Sequence, residues 1–481
     1  MTQSDLYTIL PNILLVTWAC VLLLVDLFIP KGRKGITALL SAAGFAVAMG
    51  LTLAHAGGEQ TAFHGMVVLD GFSTFLNVLF LASGLLGIAL AYGYLKRVNI
   101  ERGEYYVLMM FSVSGMLLMA QATDLIVVFL ALELLSIPLY VLAAFARPRA
   151  ESEEAGLKYF LLGAFATGFV VYGVALVFGA TGTTALSGIT ADVLAAPATH
   201  YLALIGAALI LIGFGFKVAA VPFHMWTPDV YQGALTSVTG FMTVGAKAAG
   251  FAALLRIFVT AFPALDADLV PVLWGLSALT MVIGNLVAIA QTNIKRLLGY
   301  SSIAQAGYIL MAFVSFGKTA VKADAVASAL FYLVAYAITM FGAWAVVIAL
   351  EKAEGRGLEI SDYAGLGKRK PFLAAAMTIF MLSLTGLPPT LGLIGKFYLF
   401  RTAIEGGFVG LAVIGVITSL ISAYYYLRVV VAMCMHEGAA ETTGESWLDL
   451  TTAVAAVATV VLSFLPAALF ALASGAVLKL F

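Results

Sequence analysis

Along this chain of 481 residues, apolar runs of about twenty residues follow one another with short charged or polar loops between them. They fall near 7–29, 35–55, 71–94, 105–121, 124–146, 154–180, 201–221, 235–260, 270–290, 296–316, 325–350, 372–400, 407–435 and 448–478. A backbone in hydrocarbon must hydrogen-bond to itself, which leaves only helices and closed barrels. Each run is about twice as long as the roughly ten residues of a membrane strand, so each is read as a helix. The sequence thus predicts an all-α polytopic membrane protein with about fourteen transmembrane helices. Composition agrees: 62% of residues are hydrophobic and 10% charged, too little polar surface for a soluble core of this size. The first run has no basic leader and is long enough to span, so it is expected to be a retained helix and not a cleaved signal.

The loops set an orientation. Of the 25 Lys and Arg residues, sixteen fall in alternate loops, among them Lys31, Lys96, Arg97, Arg147, Lys295 and Lys370. Four (Lys318, Lys322, Arg401 and Lys479) fall on the opposite side, and five lie within spans. Cytoplasmic loops gather basic residues, which places the N-terminus outside. Net charge is zero, with no basic tail, so no nucleic-acid partner is expected. Cys20 and Cys434 sit in apolar runs and offer neither a disulfide framework nor a cluster site; the five histidines are scattered, so no metal is expected. No Gly-rich phosphate loop follows a strand. Whatever redox chemistry is nearby, this chain is not expected to carry it.

Two spans are interrupted. Residues 205–250, IGAALILIGFGFKVAAVPFHMWTPDVYQGALTSVTGFMTVGAKAAG, hold two apolar runs meeting at a polar, Pro-bearing break, with Lys217 in one run and Lys247 in the other. Five spans later, LTGLPPTLGLIGKFYLF carries a second Gly/Pro break and Lys396. Paired broken helices in matching positions point to two inverted five-helix repeats, although Pro and Gly are also common in membrane helices at large. The expected parts are 1–104, an N-terminal three-helix segment; 105–260, the first repeat; 270–435, the second, inverted repeat; and 448–481, a C-terminal helix.

Ionisable residues at membrane depth face a bundle interior or a wet cavity, because hydrocarbon excludes them. Glu133, in DLIVVFLALELLSIPLYVLAAF, lies about 13 Å from Asp124 and about 21 Å from Arg147 along a helix. That places it mid-bilayer, to pair with a lysine or to pin two helices. Lys217, Lys247 and Lys396 lie inside their spans, and buried lysine is a group whose proton affinity moves readily. With a carboxylate partner they have the chemistry of a proton relay. Lys158 lies near a span end, where it either snorkels and pairs with Glu154 or acts on the relay. His224 follows Pro222 at the break, as a relay member or a helix-end hydrogen-bonding group. Lys295 reads as a surface anchor, Arg256 as a snorkelling side chain, and Tyr424, Tyr425 and Tyr426 as packing and interface residues.

These residues make the chain similar to a known family. LALELLSIPLYVL, EAGLKYFLLGA, KVAAVPFHMWTPDVYQGA, NIKRLLGYSSIAQAGY and GLPPTLGLIGKFYLF resemble, in order, motifs of the antiporter-like membrane subunits of respiratory complex I. The resemblance covers about 105–430. It implies proton translocation coupled to NADH oxidation and quinone reduction in partner subunits, with Glu133 and Lys217 as input pair, Lys247 as central relay and Lys396 as terminal lysine. Lys158 would tune the pair. It also implies an obligate hetero-oligomer with other membrane subunits, the other antiporter-like ones included, in the lipid bilayer of a bacterial inner membrane. FMN, iron–sulfur clusters and quinone would belong to partners, and this chain would hold no cofactor. Two positions depart from the pattern: Leu235 stands where relatives often have Pro, and Gln305 where many have His. The second implies that the link from Lys247 to Lys396 relies on water. A subunit of a multisubunit cation/proton antiporter, a membrane subunit of an energy-converting hydrogenase, and a scaffold with merely structural buried charges are the alternatives.

Overall fold

Long apolar helices that bury their polar backbone account for nearly the whole chain. The computed structural model describes residues 2–476 apart from 196, 316, 317, 319, 353 and 354. Lys479 and the end of the last expected span lie outside the described residues. The membrane helices are α1 Leu10–Asp26, α2 Gly35–Ala54, α3 Gly71–Arg97, α4 Gly103–Gln121, α5 Leu125–Ala143, α6 Ala150–Thr181 and α7 His200–Val218. A short α8, Trp226–Gly233, precedes α9, Thr236–Ala261. Then follow α10 Asp266–Ile289, α11 Ile294–Ser315, α12 Lys322–Leu350, α13 Pro371–Thr385, α14 Leu391–Glu405, α15 Val409–Met435 and α16 Ser446–Val461.

Among the described residues, 12 helices are long and apolar enough to cross a membrane. The other two expected runs are α1, which is shorter, and the broken pair α13–α14. The expected runs are therefore helical where described, and both expected interruptions are real; the last run has a further, unexpected one at Leu465, between Ser446–Phe464 and Pro466–Gly475. The loop after Ala54 adds a small hairpin of Gln60–Ala62 and Val67–Leu69, and the polar loop 181–200 contains a helix, Leu186–Ala195.

Helices α9, α11 and α12 run through the middle, buried nearly all round, whereas α6 lies at the edge with much of its apolar surface bare. Adjacent helices pack as hairpins, α4 on α5, α6 on α7 and α10 on α11. The basic loops meet at one end. There Arg97 donates to Glu445 and to the Ile348 carbonyl, both at 2.6 Å, and Lys352 pairs with Glu441 at 2.7 Å. The hairpin and the Leu186–Ala195 helix sit at the other end, where Val67 bridges to Ala122 and Thr190 reaches the Thr260 carbonyl.

Arg256 does not snorkel. It is 1% exposed and grips Asp70 through two bonds of 2.9 Å, with its guanidinium 4.8 Å from the Phe72 ring centroid. Asp70 also caps α3 by accepting the Ser73 N–H at 2.7 Å, so one carboxylate fixes a helix start and ties it to α9. Sequence depth alone favoured the interface; a carboxylate 186 residues away supplies the partner that burial demands. Arg256→Ala leaves that carboxylate with no cation and is expected to cost about 3 kcal/mol. Thermal unfolding of the purified assembly should show a clear drop in midpoint, and an unchanged midpoint would count against this role.

Candidate functional site

Helix α7 stops at Ala219, which takes a left-handed backbone (φ 63°), and helix resumes only at Trp226. The freed groups are covered: Trp226 Nε1 donates to the Phe216 carbonyl at 2.9 Å, and the Val221 N–H to Thr280 Oγ1 at 2.9 Å. Lys217 sits in the last turn of α7, where unpaired carbonyls concentrate negative charge and favour a cation. It is 4% exposed, and its ammonium donates to Ser136 Oγ at 2.8 Å and Tyr159 OH at 3.2 Å. Its stem lies along α9, because a Cβ on Gly250 would come within 3.3 Å of Lys217 Cγ. Glycine there lets Lys217 approach the helix that carries Lys247.

Within α9, residues Met242–Ala246 form a π turn, and Lys247 follows it directly. Such single π turns recur where a helix must aim a side chain at a functional site. Lys247 is 2% exposed and its Nζ donates to both the carbonyl and the hydroxyl of Ser302 on α11. The second break begins at Gly386 (φ 88°) and ends at Leu391. From α14, Lys396 reaches back so that its Nζ bonds the Leu384 and Thr385 carbonyls and Ser419 Oγ, all at 3.0 Å. The Tyr308 ring centroid is 4.3 Å away. Lys396 thus caps the negative end of α13.

Between Lys247 and Lys396 the interior is filled by side chains. Gln305 donates to the Leu384 carbonyl at 3.0 Å, the oxygen that Lys396 also uses, and to Tyr426 OH at 3.1 Å. Tyr332 donates to the Gln305 carbonyl, and Ser301 bonds Tyr426. Tyr425 donates to Asn285 at 2.9 Å, and Tyr308 to Thr418 at 3.1 Å. A side-chain network centred on Gln305 therefore lines this stretch. Tyr425 and Tyr426 belong to it and are more than packing residues, whereas Tyr424 is exposed.

Other expected placements differ. Glu133 and Lys217 form no ion pair within 4.0 Å. Glu133 accepts from Thr167 at 2.8 Å and lines a separate cavity of about 490 Å³ with Phe129 and Tyr172. Ser136, one helical turn from Glu133, is what holds Lys217. Lys158 pairs with Glu154 at 2.6 Å, as the spacing suggested, and also with Asp229 at 2.7 Å, which binds Arg296 at 2.7 Å. It lies at the rim and not beside Lys217. His224 stands in the break, half-buried, with Nδ1 unpaired among the described residues, and no hydrogen bond joins it to a lysine. Lys295 is no surface anchor: it is 2% exposed and donates to the Ala234 carbonyl at 2.6 Å. Asp229, Tyr159 and Ser136 were not singled out from sequence; only the spacing of Ser136 one turn after Glu133 carried a signal.

The result is a row of buried cations whose partners are hydroxyls and carbonyls. Hydroxyls both donate and accept, so such a row can hand protons along. Among the described residues no group of three or more His, Cys, Asp or Glu could hold a metal ion.

The family described as NADH:quinone oxidoreductase/Mrp antiporter, TM, matches residues 122–422. The NADH-quinone oxidoreductase subunit N of Chloroflexus aggregans is 49% identical over 97% of this chain and 96% of its own. Its counterpart in Trichlorobacter lovleyi is 47% identical over 94% and 91%. A chain in the structure of respiratory complex I from Thermus thermophilus with bound aureothin superposes with TM-score 0.83 at 36% identity, over 96% of this chain and 99% of that one. A chain of the Mrp complex from Dietzia sp. gives TM-score 0.87 at 20% identity, over 99% and 97%, a likeness of fold.

Gly386 offers a test of the Lys396 seat. A Cβ there would lie 3.0 Å from Lys396 Cδ, whereas Gly407, also left-handed (φ 87°), has open space around it. Both Ala substitutions carry the left-handed strain of about 1–2 kcal/mol. Gly386→Ala should lower the thermal midpoint of the assembly further than Gly407→Ala; equal losses would mean that the lysine contact contributes nothing.

Proposed function

Because the chain belongs to the NADH-quinone oxidoreductase subunit N family, within the NADH:quinone oxidoreductase/Mrp antiporter membrane family, we propose that its buried lysine row is the path along which protons move. The chain is an antiporter-like, proton-translocating membrane subunit of complex I and works with other membrane subunits. NADH oxidation, FMN, iron–sulfur clusters and quinone belong to partner subunits. The home is a bacterial inner membrane, with the N-terminus on the periplasmic side; the sixteen-to-four bias of basic loop residues supports that orientation. The two broken helices, five spans apart, support a division into two inverted repeats, 105–260 and 270–435.

One observation carries the mechanism: Lys217, Lys247 and Lys396 are all buried, and each is held by hydroxyls and carbonyls with no carboxylate in contact. A fixed counter-ion would lock each ammonium; without one, neighbouring charge decides its protonation. Two like charges about 10 Å apart at an effective dielectric of about 20 repel by about 1.7 kcal/mol. That is worth about tenfold in proton affinity. A charge change reaching Glu133 from a neighbouring subunit alters the field at Lys217 through the Ser136 turn. Lys217 then releases or takes a proton, and Lys247 and Lys396 respond in sequence. Ser302, Tyr332, Tyr426 and Ser419 supply hydroxyls along the way, while the Gln305 amide holds their geometry.

In vesicles containing the assembled complex, NADH-driven proton uptake is the readout. Lys217→Ala, Lys247→Ala and Lys396→Ala should each lower pumping by roughly a hundredfold or more, the scale of a lost acid–base group, with the complex still assembled. Glu133→Gln should weaken it less, since Glu133 acts across a turn. Normal pumping in all four variants would defeat the reading.

A further inference from the structure

A second buried titratable cluster lies where the basic loops gather. A cavity of about 530 Å³ opens there, lined among others by Glu154, Lys158, Asp229, Lys295 and Glu351. Glu351 closes the C-terminus of α12 and is 3% exposed. Its Oε1 accepts from Tyr94 OH at 2.9 Å, while Oε2, fully buried, has no hydrogen-bond partner among the described residues. A buried polar oxygen left without a partner is rare and asks for a reason. Carbonyls at a helix C-terminus also make it a poor seat for an anion. Both difficulties are relieved when Oε2 carries a proton, taken up when the carboxyl turns towards the cavity that Glu351 lines, which has room for several waters.

The same cluster abuts the route to Lys247. The Tyr94 hydroxyl that holds Glu351 accepts the Thr236 N–H at 3.4 Å, the first residue of α9. Lys295, on the same cavity wall, grips the Ala234 carbonyl at 2.6 Å, so the two groups clamp the junction of α8 and α9 from both sides. Lys295 lies two turns before Ser302 on α11, and Ser302 holds Lys247. Tyr231 packs against Gly299, one turn after Lys295, with its Cβ 3.7 Å from where a Gly299 Cβ would stand, and its hydroxyl lies beside Thr243 and Ser302. Glu133 faces a different cavity altogether.

We propose that Glu351 is the proton-loading carboxyl of an intake route that reaches Lys247 from the basic-loop end without passing Glu133 or Lys217. A proton from cavity water binds Oε2, crosses cavity water to the neutral amine of Lys295, and leaves by way of Tyr231 and Ser302 for Lys247. One proton enters, one leaves, and no electrons move. The inference rests on the reading that Lys247 carries protons, so the two are tested side by side.

The assembled complex in vesicles is assayed for protons moved per NADH oxidised across pH. Glu351→Gln keeps shape and the Tyr94 bond but cannot load a proton; pumping is expected to fall by roughly a hundredfold, a loss on the scale of an acid–base group. Glu351→Asp should restore most of it, which a purely structural role would not. Tyr94→Phe removes only the hydroxyl that aims the carboxyl and should shift the pH profile of pumping; it decides the matter if Glu351→Gln fails to assemble, an unshifted profile then overturning the proposal. Wild-type pumping in Glu351→Gln alongside loss in Lys247→Ala overturns the Glu351 route and leaves the lysine reading standing. Wild-type pumping in Lys247→Ala overturns both.

Discussion

The arrangement depends on a cation placed against the broken end of a membrane helix. A helix that stops inside hydrocarbon exposes carbonyls that nothing in the lipid can satisfy. In α7 and α13 the chain stops in the left-handed conformation, at Ala219 and Gly386, and a lysine serves the broken end each time. Lys217 lies in the last turn of the broken helix itself; Lys396 comes from the following half and bonds the last carbonyls of α13. Break and cation therefore stabilise each other. Remove Lys396 and the last carbonyls of α13 lose a donor; heal either break and its lysine loses the negative helix end beside it.

From this follows the contrast between the two kinds of buried charge in the molecule. Arg256 has a bidentate carboxylate, permanently charged on both sides, and can only hold α3 to α9. The three lysines have neutral partners, which keep an ammonium solvated but do not fix it. The first kind is a rivet. The second is a group whose state its neighbours can set. Burial is alike for both, so the difference lies in what each cation touches.

That difference also marks where the sequence was legible. Apolar runs of membrane length, Gly and Pro at two interruptions, and lysines inside runs gave the helices, both breaks and the three central lysines, because each of these signals is local. Partner identity is not local. Arg256 looked like an interface residue because Asp70 is 186 positions away, and Lys295 looked like an anchor because the Ala234 carbonyl that holds it lies across the break. The link from Lys247 to Lys396 was assigned to water because position 305 is a glutamine, yet that glutamine's partners, Tyr332 of α12, the Leu384 carbonyl of α13 and Tyr426 of α15, come from three other helices. Glu133 lies within α5, but the direction its carboxylate faces depends on Thr167 of α6.

The hydroxyl-and-amide network around Gln305 has one further consequence. In a chain of hydroxyls each proton hop leaves every O–H pointing the opposite way, so a second proton cannot follow until the chain has turned over. The Leu384, Thr385 and Ser302 carbonyls accept only and cannot turn, and the Gln305 amide has a fixed donor side and a fixed acceptor side. These anchors give the network a preferred resting polarity. A proton crossing such a network would leave hydroxyls that must turn back to that polarity before another could follow, so its turnaround would be a step with its own time.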